Sequence, residues 1–439
     1  MSLMNISRNE KQINKMEYRK RIADKLLKEQ LEASGAVLIE GPKWCGKTTT
    51  AEQQAQSRIY MNDPETEEEL MLLASTNIKR LLTGASPRLI DEWQMVPRLW
   101  DAVRFEVDHR NANVGQFILT GSAVPASTEQ IHHSGAGRFG WLTMRPMTLW
   151  ESGESSGEVS LGSMFDGKVP DATGKKMSLD ELSFVCCRGG WPAAIGMKPK
   201  AALRQAYNYV DAICNTDISR VDGVRRESAF CRRLLRSYAR HSGTSASLST
   251  LYADIVANES SSMNENTIAS YLQALRKIFV VEDMPAWNPN LRSKSAIRTS
   301  DTRYFVDPSV ATSALGIGPN DLSNDLKSFG FIFETLAVRD LRVYAEALDG
   351  EVFHFRDRNG LECDAVVHLR NGSYGLVEVK IGGEKLIEEG ASSLKSLAGK
   401  IDTERMKKPS FMMVLTGIGT YAYKREDGVY VVPVCALKD

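Results

Sequence analysis

The stretch of sequence that decides the fold is Gly41-Pro42-Lys43-Trp44-Cys45-Gly46-Lys47-Thr48. It comes directly after the apolar run Ala36–Glu40, which is short and bounded by glycine and therefore predicts a buried strand. Residues 49–56, which come next, have the composition of a helix. A Gly-x-x-x-x-Gly-Lys-Thr pattern between a strand and a helix is typical of a phosphate-binding loop (P-loop), and an ordinary glycine-containing turn is the alternative.

The residue types of this loop fit the binding of ATP and Mg²⁺, the two cofactors that we expect. Gly41 and Gly46 allow backbone N–H groups to approach a phosphate closely, and the N-terminus of the following helix adds partial positive charge. Lys47 can bridge the terminal phosphates, and the Thr48 hydroxyl can bind Mg²⁺. The predicted nucleotide-binding residues are the eight residues of the loop together with Thr49.

Two carboxylates end a later apolar strand, in Leu89-Ile90-Asp91-Glu92. Because ligands bind at the carboxyl ends of strands in open α/β sheets, both acids are expected near the P-loop. We predict that Asp91 orients Mg²⁺ through water and that Glu92 activates the attacking water as a general base. Strand ends often carry acids, so this pattern alone is weak evidence. It is informative here because it comes after a P-loop.

Thr120 and Arg138 complete the candidate catalytic site. Thr120 ends the predicted strand Phe117–Thr120 and is a candidate contact of the γ-phosphate, although Thr, Gly and Ser are also common in plain turns. Arg138 lies in a glycine-rich stretch and could stabilise charge in the transition state, with a solvated surface arginine as the alternative. Lys47, Glu92 and Arg138 are thus the predicted catalytic residues.

Composition narrows the classes of function. The 439 residues contain 55 Lys and Arg and 55 Asp and Glu, so no net charge draws the whole chain to nucleic acid or to an anionic membrane. The scattered cysteines predict neither a zinc site nor a disulfide framework. No apolar run approaches the length of a membrane span, and the polar N-terminus lacks the apolar core of a signal peptide, so we expect a cytoplasmic protein without membrane contact.

We expect an α/β protein with several parts. Strands that alternate with helices predict a parallel P-loop NTPase sheet over residues 31–150, preceded by an N-terminal helical extension over 1–30. A stretch rich in Gly, Ser and Asp predicts a linker over 151–177. Helical patterns dominate 178–315, and strand patterns return in 316–439.

These motifs resemble those of the bacterial and archaeal AAA-like ATPases, which are P-loop proteins with an additional catalytic glutamate. The resemblance rests on the P-loop, on Leu89–Glu92 and Leu119–Ser122, and on Gly137-Arg138 followed by Arg145-Pro146-Met147-Thr148. It implies an oligomerising ATPase with a central five-stranded sheet. It leaves open whether Arg138 acts in its own subunit or in a neighbouring one.

The middle segment resembles a winged helix-turn-helix. Two helix candidates, 248–257 and 264–279, are joined by a turn rich in capping residues, and Phe279–Val281 could pair with Arg303–Val306 as a two-stranded wing. The basic residues of the second helix and the wing are Arg276, Lys277, Arg292, Lys294 and Arg298. They suit contacts with DNA phosphates, and packing against protein is the alternative.

The C-terminal part carries a second group of acids. Asp364 lies on one predicted strand, whereas Glu378 and Lys380 lie on the next and point to the same face. Two carboxylates on paired strands can share one Mg²⁺, a lysine beside them can position water, and Glu334 on the preceding predicted helix could add a third acid. A cross-strand charge pair without metal is the alternative.

This arrangement resembles the PD-(D/E)xK nuclease superfamily and implies a restriction-endonuclease-like α/β domain. It also resembles the domain of unassigned function that often follows AAA-like ATPase domains. The proline that usually precedes the aspartate is absent, and Cys363 stands in its place. A fold of this kind does not by itself establish DNA cleavage.

These patterns support three hypotheses on function. The first is an ATP-hydrolysing switch that acts on DNA or on a protein partner, as a monomer or a homo-oligomer, with a nuclease-like domain that need not be active. The second is an ATP-regulated, Mg²⁺-dependent DNA nuclease. The third is a nucleotide-binding interaction protein of a defence or toxin–antitoxin type that does not hydrolyse ATP; Glu92 argues against it, because a nucleotide sensor needs no catalytic base. A small-molecule kinase is a fourth, for which the sequence identifies no acceptor pocket.

Overall fold

The structure, a computed structural model, describes residues 18–110, 113–122, 135–168, 171–256, 264–288, 300–404 and 406–439. The predicted N-terminal extension is therefore described only from Tyr18 onward. Three basic residues of the predicted wing, Arg292, Lys294 and Arg298, lie outside the described residues. No helix in the described part of the chain is long and apolar enough to cross a membrane.

A five-stranded parallel sheet with strand order β2-β3-β4-β1-β5 forms the N-terminal part. Its strands are β1 (Ala36–Glu40), β2 (Ser57–Tyr60), β3 (Arg88–Asp91), β4 (Phe117–Gly121) and β5 (Phe139–Thr143). The helices around it are α1 (Ile22–Ala33), α2 (Lys47–Gln54), α3 (Glu67–Thr76) and α4 (Leu99–His109). The predicted parallel sheet and the five strands that the resemblance implied are confirmed.

The sheet is covered on both faces, which explains why its strands are almost continuously apolar. In β1, Ala36 and Leu38 belong to the core on the side of α3 and α4, whereas Val37 and Ile39 belong to the core on the side of α1 and α2. The edge strand β5 was not predicted from its residues. Its exposed Trp141 interrupts the apolar pattern that revealed the central strands.

The segment that we predicted as a linker, 151–177, is instead built into the structure. It contains α5 (Leu149–Ser152), β6 (Val159–Ser160), α6 (Leu161–Phe165) and β7 (Ala172–Thr173). Leu161 and Met164 are fully buried in the main core. The prediction failed because strands of two residues have no periodicity to detect, and because their partners lie at the other end of the chain.

The middle segment is helical, as predicted. Its helices are α7 (Leu179–Arg188), α8 (Pro199–Ala212), α9 (Ile218–Arg220), α10 (Ser228–Arg240), α11 (Leu248–Val256), α12 (Glu265–Lys277), α13 (Pro308–Leu315) and α14 (Pro319–Asn324). A π-helical turn, Ile213–Asp217, joins α8 to α9.

Part of the predicted winged helix-turn-helix pattern appears in this segment. Asn264 caps α12 by accepting a hydrogen bond from the backbone N–H of Thr267, as its position predicted. Among the residues that the structure describes on either side of 289–299, the wing contains isolated antiparallel bridges, Val281 with Phe305 and Met284 with Thr302. The arrangement as a complete winged helix stays a prediction.

The C-terminal part is a mixed sheet with helices packed on it. The long helix α15 (Leu326–Glu346) precedes β8 (Gly350–Arg356), β9 (Glu362–Leu369) and β10 (Tyr374–Lys380). The remaining elements are α16 (Glu384–Lys400), β11 (Phe411–Thr416), β12 (Tyr421–Lys424), β13 (Tyr430–Pro433) and β14 (Leu437–Lys438). The sheet order is β7-β12-β13-β11-β10-β9-β8, and β14 pairs with β6, so the former linker supplies strands to this part.

A group of ion pairs joins the three parts of the chain. Arg145, which lies just after β5, donates to Glu282 at 2.7 Å and to Glu346 of α15 at 2.8 Å. Arg342 of α15 lies 3.4 Å from the same Glu282 carboxylate. Although burial opposes ionisation, these two guanidinium groups lower the pKa of Glu282 to about 2. The two guanidinium groups thus favour the charged form of Glu282.

Replacing this carboxylate is expected to make the fold less stable in a pH-dependent way. Glu282→Gln should lower the free energy of unfolding by about 2 kcal/mol at pH 7, since it removes charge-assisted hydrogen bonds to Arg145. Because the pKa of Glu282 is lower in the folded chain than in the unfolded one, its contribution is full at neutral pH and is lost as the pH falls from about 5 toward 2. The difference from the wild-type protein should therefore shrink in urea titrations at pH 3.5.

Glu351→Gln is the matched control, because Glu351 and Glu282 line one cavity of about 320 Å³ but Glu351 is exposed. It should leave the free energy of unfolding unchanged within about 0.5 kcal/mol at both pH values. An equal destabilisation by Glu282→Gln at pH 7 and pH 3.5 would contradict the assignment.

Candidate functional site

The P-loop connects the carboxyl end of β1 to α2 in a path that only glycine allows at two positions. Gly41 has a φ of 148°, and a β-carbon there would lie 2.1 Å from the carbonyl oxygen of Met144. Gly46 begins α2 with a φ of 102°, in the left-handed region. The loop can therefore pass directly beside the segment that leaves β5.

Lys47 folds back across the loop. Its side chain is buried, and its Nζ donates to the carbonyl oxygens of Gly41 at 2.9 Å and Pro42 at 2.8 Å. The ammonium group is thus held among backbone groups of the P-loop. A phosphate at this place would offer it a charged acceptor, which is a stronger partner than a neutral carbonyl.

Three oxygen-bearing side chains meet beside Lys47 at the carboxyl edge of the sheet. Thr48 Oγ1 donates to Asp91 Oδ1 at 2.7 Å, and the Thr120 hydroxyl donates to the same carboxylate oxygen. Asp91 and Thr120 lie opposite one another on β3 and β4. Hydroxyl and carboxylate oxygens are ligands that suit Mg²⁺, so the donor set fits an ion held by Thr48 and, through water, by Asp91.

Glu92 comes directly after Asp91 and has a left-handed backbone with φ 55°. Its carboxylate accepts a hydrogen bond from Gln94 Nε2 and a longer one, at 3.4 Å, from Ser122 Oγ. These donors orient the carboxylate at the same edge of the sheet as the P-loop. An oriented carboxylate there can act as a general base.

Arg138 lies at the opposite end of the sheet from the P-loop. It immediately precedes β5, and its carbonyl accepts from the N–H of Ala36, the first residue of β1. The P-loop begins after the five residues of β1, which span about 16 Å. The Arg138 side chain pairs with Asp108 of α4 at 2.9 Å. Of the two alternatives, action of Arg138 on nucleotide in its own subunit is therefore contradicted by this arrangement.

The side chains of three other P-loop residues contact protein. Lys43 Nζ donates to Asp217 of the π-helical turn at 2.6 Å, and the Trp44 ring lies 5.7 Å from that of Tyr209, centre to centre. Cys45 is fully buried beneath the loop. The backbone of these residues remains the expected partner of a phosphate.

A cavity of about 420 Å³ opens beside the P-loop. It is lined by Tyr18, Arg19 and Arg21 before the sheet, by Gly46, Thr49 and Thr50 of the loop and α2, and by Met147, Pro192 and Ile195. This volume lies in the range of small-molecule sites. The cavity is the space next to the loop in which the rest of a nucleotide would fit.

The C-terminal acids also come together. Lys380 Nζ lies 2.6 Å from Glu378 and 3.3 Å from Asp364, and Glu334 accepts a hydrogen bond from the Tyr304 hydroxyl. Burial and the charge of Asp364 raise the pKa of Glu378 to about 8 and also raise the pKa of Glu334. The predicted residues thus form one cluster at the join of α15, β9 and β10.

The Mg²⁺ site that we predicted in this cluster stays a prediction, and the ion pairs of Lys380 compete with it. Within the described ranges, no group of three or more His, Cys, Asp or Glu side chains could hold a metal ion. Lys380 pairs with both Asp364 and Glu378 and so occupies the position between them. The ion pairs of the alternative, a cross-strand charge group, are present.

Sequence reasoning missed several residues around the two sites. Arg21 and Glu151 form a buried ion pair next to the P-loop, and Asp217 binds Lys43 of the loop. Tyr304 belongs to the predicted wing but contacts the C-terminal acids. No signal in the sequence could have joined these residues to the sites, because each lies far along the chain from its partner.

The fold and the site define a P-loop ATPase-like region. A parallel sheet ends in a glycine-constrained loop, and Lys47, Thr48 and Asp91 lie together at its carboxyl edge. In agreement, residues 33–152 match a family model described as an AAA domain. Residues 179–321 and 329–437 match two families described as domains of unknown function, DUF8612 and DUF4143.

Relatives and solved structures extend this comparison without naming an activity for the chain. The uncharacterized proteins Mb2031c of Mycobacterium bovis and Rv2008c of Mycobacterium tuberculosis are 25% identical to this chain over 359 residues, which cover 81% of it and 72% of each relative. A Walker-type ATPase of Pyrococcus abyssi has 15% identity and a TM-score of 0.42, covering 68% of this chain and 96% of its own. The ORC2 protein of Aeropyrum pernix has 13% identity and a TM-score of 0.32, covering 71% and 95%.

The position of Arg138 gives a test of the site. Arg138→Gln should leave nucleotide turnover per subunit unchanged within about twofold in dilute, monomeric protein, because β1, which spans about 16 Å, separates Arg138 from its own P-loop. The measurement is phosphate release at a concentration where sedimentation shows a monomer. Arg104→Gln is the control, since Arg104 also pairs with Asp108 but does not adjoin β5. A tenfold fall confined to Arg138→Gln in the monomer would contradict the geometry.

Proposed function

We propose that this protein binds ATP with Mg²⁺, hydrolyses it, and uses the nucleotide to switch its middle and C-terminal parts. The observation that carries the proposal is the meeting of Lys47, Thr48, Asp91, Glu92 and Thr120 at one edge of the parallel sheet. Residues from the ends of three different strands converge there. The match of this region to the AAA domain family supports the same interpretation.

The chain itself supplies most of the groups that ATP hydrolysis needs. The backbone N–H groups of the P-loop and the N-terminus of α2 bind phosphate, and Lys47 neutralises its charge. Mg²⁺, when bound through Thr48 and Asp91, polarises the phosphate oxygens. Glu92 holds a water molecule by its carboxylate and takes a proton from it. The Thr120 hydroxyl contacts the γ-phosphate.

The contacts of the P-loop with the middle segment are the connection through which nucleotide binding would act on that segment. Lys43 and Trp44 touch the middle segment, and Pro192 and Ile195 of that segment close the cavity beside Gly46. A nucleotide in this cavity would therefore contact both parts of the chain at once. Binding and release of the nucleotide would change how the middle segment sits on the loop.

DNA or a protein partner is the proposed target of the switch. Exposed basic residues of α10 and α12, namely Arg232, Arg236, Arg240 and Arg276, support DNA. Three of them, Arg232, Arg240 and Arg276, have carboxylate partners: Asp211, Asp254 and Asp283. This pairing reduces the charge available for phosphates and supports a protein partner. Measuring ATP turnover with and without duplex DNA separates the two.

Two substitutions test the hydrolysis. Lys47→Ala should lower phosphate release at least a hundredfold and weaken ATP binding, because the charged partner of the phosphates is lost. Glu92→Gln should retain ATP binding but lower kcat by about a hundredfold or more, since the amide cannot accept the proton. Steady-state phosphate release and calorimetric ATP binding measure both, with exposed Lys28→Ala as the control. Tight ATP binding without phosphate release in the wild-type protein would support the non-hydrolysing interaction protein instead.

A second candidate function is DNA cleavage by the C-terminal part. The observation that favours it is the convergence of Asp364, Glu378 and Lys380, the residue types that the nuclease resemblance implies, with Glu334 beside them. The two ion pairs of Lys380 argue against it, because they compete with a metal ion for the carboxylates. The ATPase proposal does not depend on this candidate.

The cleavage assay distinguishes an active nuclease from an inactive relative. If the candidate is correct, purified protein with ATP and Mg²⁺ or Mn²⁺ cuts plasmid and linear DNA, and Glu378→Ala lowers the rate at least a hundredfold. Glu362→Ala is the matched control, because Glu362 begins the neighbouring strand β9 but is exposed and pairs with Arg356. DNA that stays intact under all these conditions excludes the candidate.

A further inference from the structure

A single buried arginine holds the P-loop from the segment that precedes the sheet. The Arg21 side chain is 4% exposed. Its Nη1 donates to the carbonyl oxygen of Cys45 at 2.8 Å, its Nη2 to the carbonyl oxygen of Arg145 at 2.8 Å, and its Nε to Glu151 at 3.0 Å. One guanidinium group thus joins the P-loop to the segment that leaves β5.

Glu151 fixes the orientation of this arginine. Its side chain is 1% exposed, and the oxygen that accepts from Arg21 also accepts from the backbone N–H of Ile22 at 2.8 Å. Its other oxygen accepts from the backbone N–H of Thr148 at 2.9 Å, in the capping box of α5. Both carboxylate oxygens of Glu151 accept hydrogen bonds, so Glu151 is fixed in place. The guanidinium group of Arg21 that pairs with it is therefore held in one orientation.

Because the peptide bond is planar, the hydrogen bond from Arg21 to the Cys45 carbonyl also affects the phosphate-binding site. The carbonyl of Cys45 and the N–H of Gly46 belong to one planar trans peptide group and point in opposite directions. Because Arg21 holds the carbonyl, it also fixes the direction of the Gly46 N–H. That N–H is among the P-loop groups expected to face the phosphates.

We propose that Arg21 is a positioning residue for the nucleotide phosphates and that Glu151 orients it. The inference rests on the proposed nucleotide binding and adds two residues that belong neither to the P-loop nor to the acidic strand ends. The nitrogens of Arg21 are engaged by the protein, so the residue acts through the backbone of Cys45 and Gly46. The strength of charge-assisted hydrogen bonds at a buried site makes this control effective.

The same guanidinium group connects the P-loop to the C-terminal part. Its third partner, Arg145, binds Glu282 and Glu346 through its side chain. Two residues before Glu151, the N–H of Leu149 donates to Asp340 of α15 at 2.9 Å. A movement of the P-loop on phosphate binding would therefore also move residues 145–149, which the C-terminal part holds through Glu346 and Asp340.

Conservative variants test the positioning role of Arg21 without removing a large side chain from the site. Arg21→Lys keeps the charge but loses the planar fork, so it cannot make all three contacts. We expect the Kd for ATP and for ADP to rise about tenfold and KM for ATP to rise with it, while kcat changes less than about threefold. Glu151→Gln should give a smaller rise in the same constants. The double variant should be less impaired than the product of the two effects, because both act through one contact.

Arg226→Lys is the matched control. Arg226 is also a buried arginine that pairs with a carboxylate, Asp222, and donates to a carbonyl, that of Ile218, but it does not touch the P-loop. It should lower Tm as Arg21→Lys does and leave the nucleotide constants within about twofold of wild type. Hydrogen exchange of the P-loop peptide 41–48 without nucleotide should be faster in Arg21→Lys and unchanged in Arg226→Lys.

The outcomes separate this inference from the proposed function. Wild-type protein that binds no ATP overturns both. Wild-type protein that binds ATP, together with an Arg21→Lys variant that has lower Tm but unchanged Kd and KM, overturns only the positioning role and leaves a structural ion pair. If Arg21→Lys does not fold, Glu151→Gln decides by the same constants.

Discussion

The rest of the site depends on one constraint, the close approach of the P-loop backbone to the chain that leaves β5. At Gly41 a β-carbon would lie 2.1 Å from the carbonyl oxygen of Met144, so a side chain at this position is excluded. The N–H of Met144 in turn donates to the carbonyl of Glu40. Because the loop and this segment are locked together, Lys47 and Thr48 start α2 at a fixed place relative to Asp91. The same lock brings Arg145 and Glu151 to where Arg21 can reach both.

Buried ion pairs connect this locked region to the other parts of the chain. Arg339 of α15, 1% exposed, pairs with Asp340 and with Asp307, which in turn accept from the backbone N–H groups of Leu149 and Gly190. Taking such groups out of water is costly, and the cost is offset only where every partner is present in good geometry. A polar network of this kind favours a single arrangement of its segments. It ties α15 to the first residue of α5 and to Gly190, which follows α7.

The parts of the fold that could be predicted from sequence are those whose signal is local. Strands β1, β3 and β4 are apolar runs that end in the residues of the site, and the Gly-x-x-x-x-Gly-Lys-Thr pattern predicts the loop and helix after the first of them. Asp91 and Thr120 could be joined in advance because parallel strands share one carboxyl edge. The short strands β6 and β7 could not be predicted, because only their pairing with distant strands defines them. Whether Arg138 acts in its own subunit or in a neighbouring one could not be decided in advance for a related reason: a motif gives a residue type but does not say at which end of a strand it lies.

The C-terminal cluster shows why a correct set of residues does not settle its chemistry. Asp364, Glu378 and Glu334 bring three acidic groups together where burial opposes their ionisation, and the raised pKa values of Glu378 and Glu334 are the result. Lys380, whose own pKa is raised by the two carboxylates beside it, offsets part of the negative charge in this arrangement. A divalent cation at the same carboxylates would compete with this lysine. The ion pairs of Lys380 therefore oppose the metal chemistry that the residue types indicate.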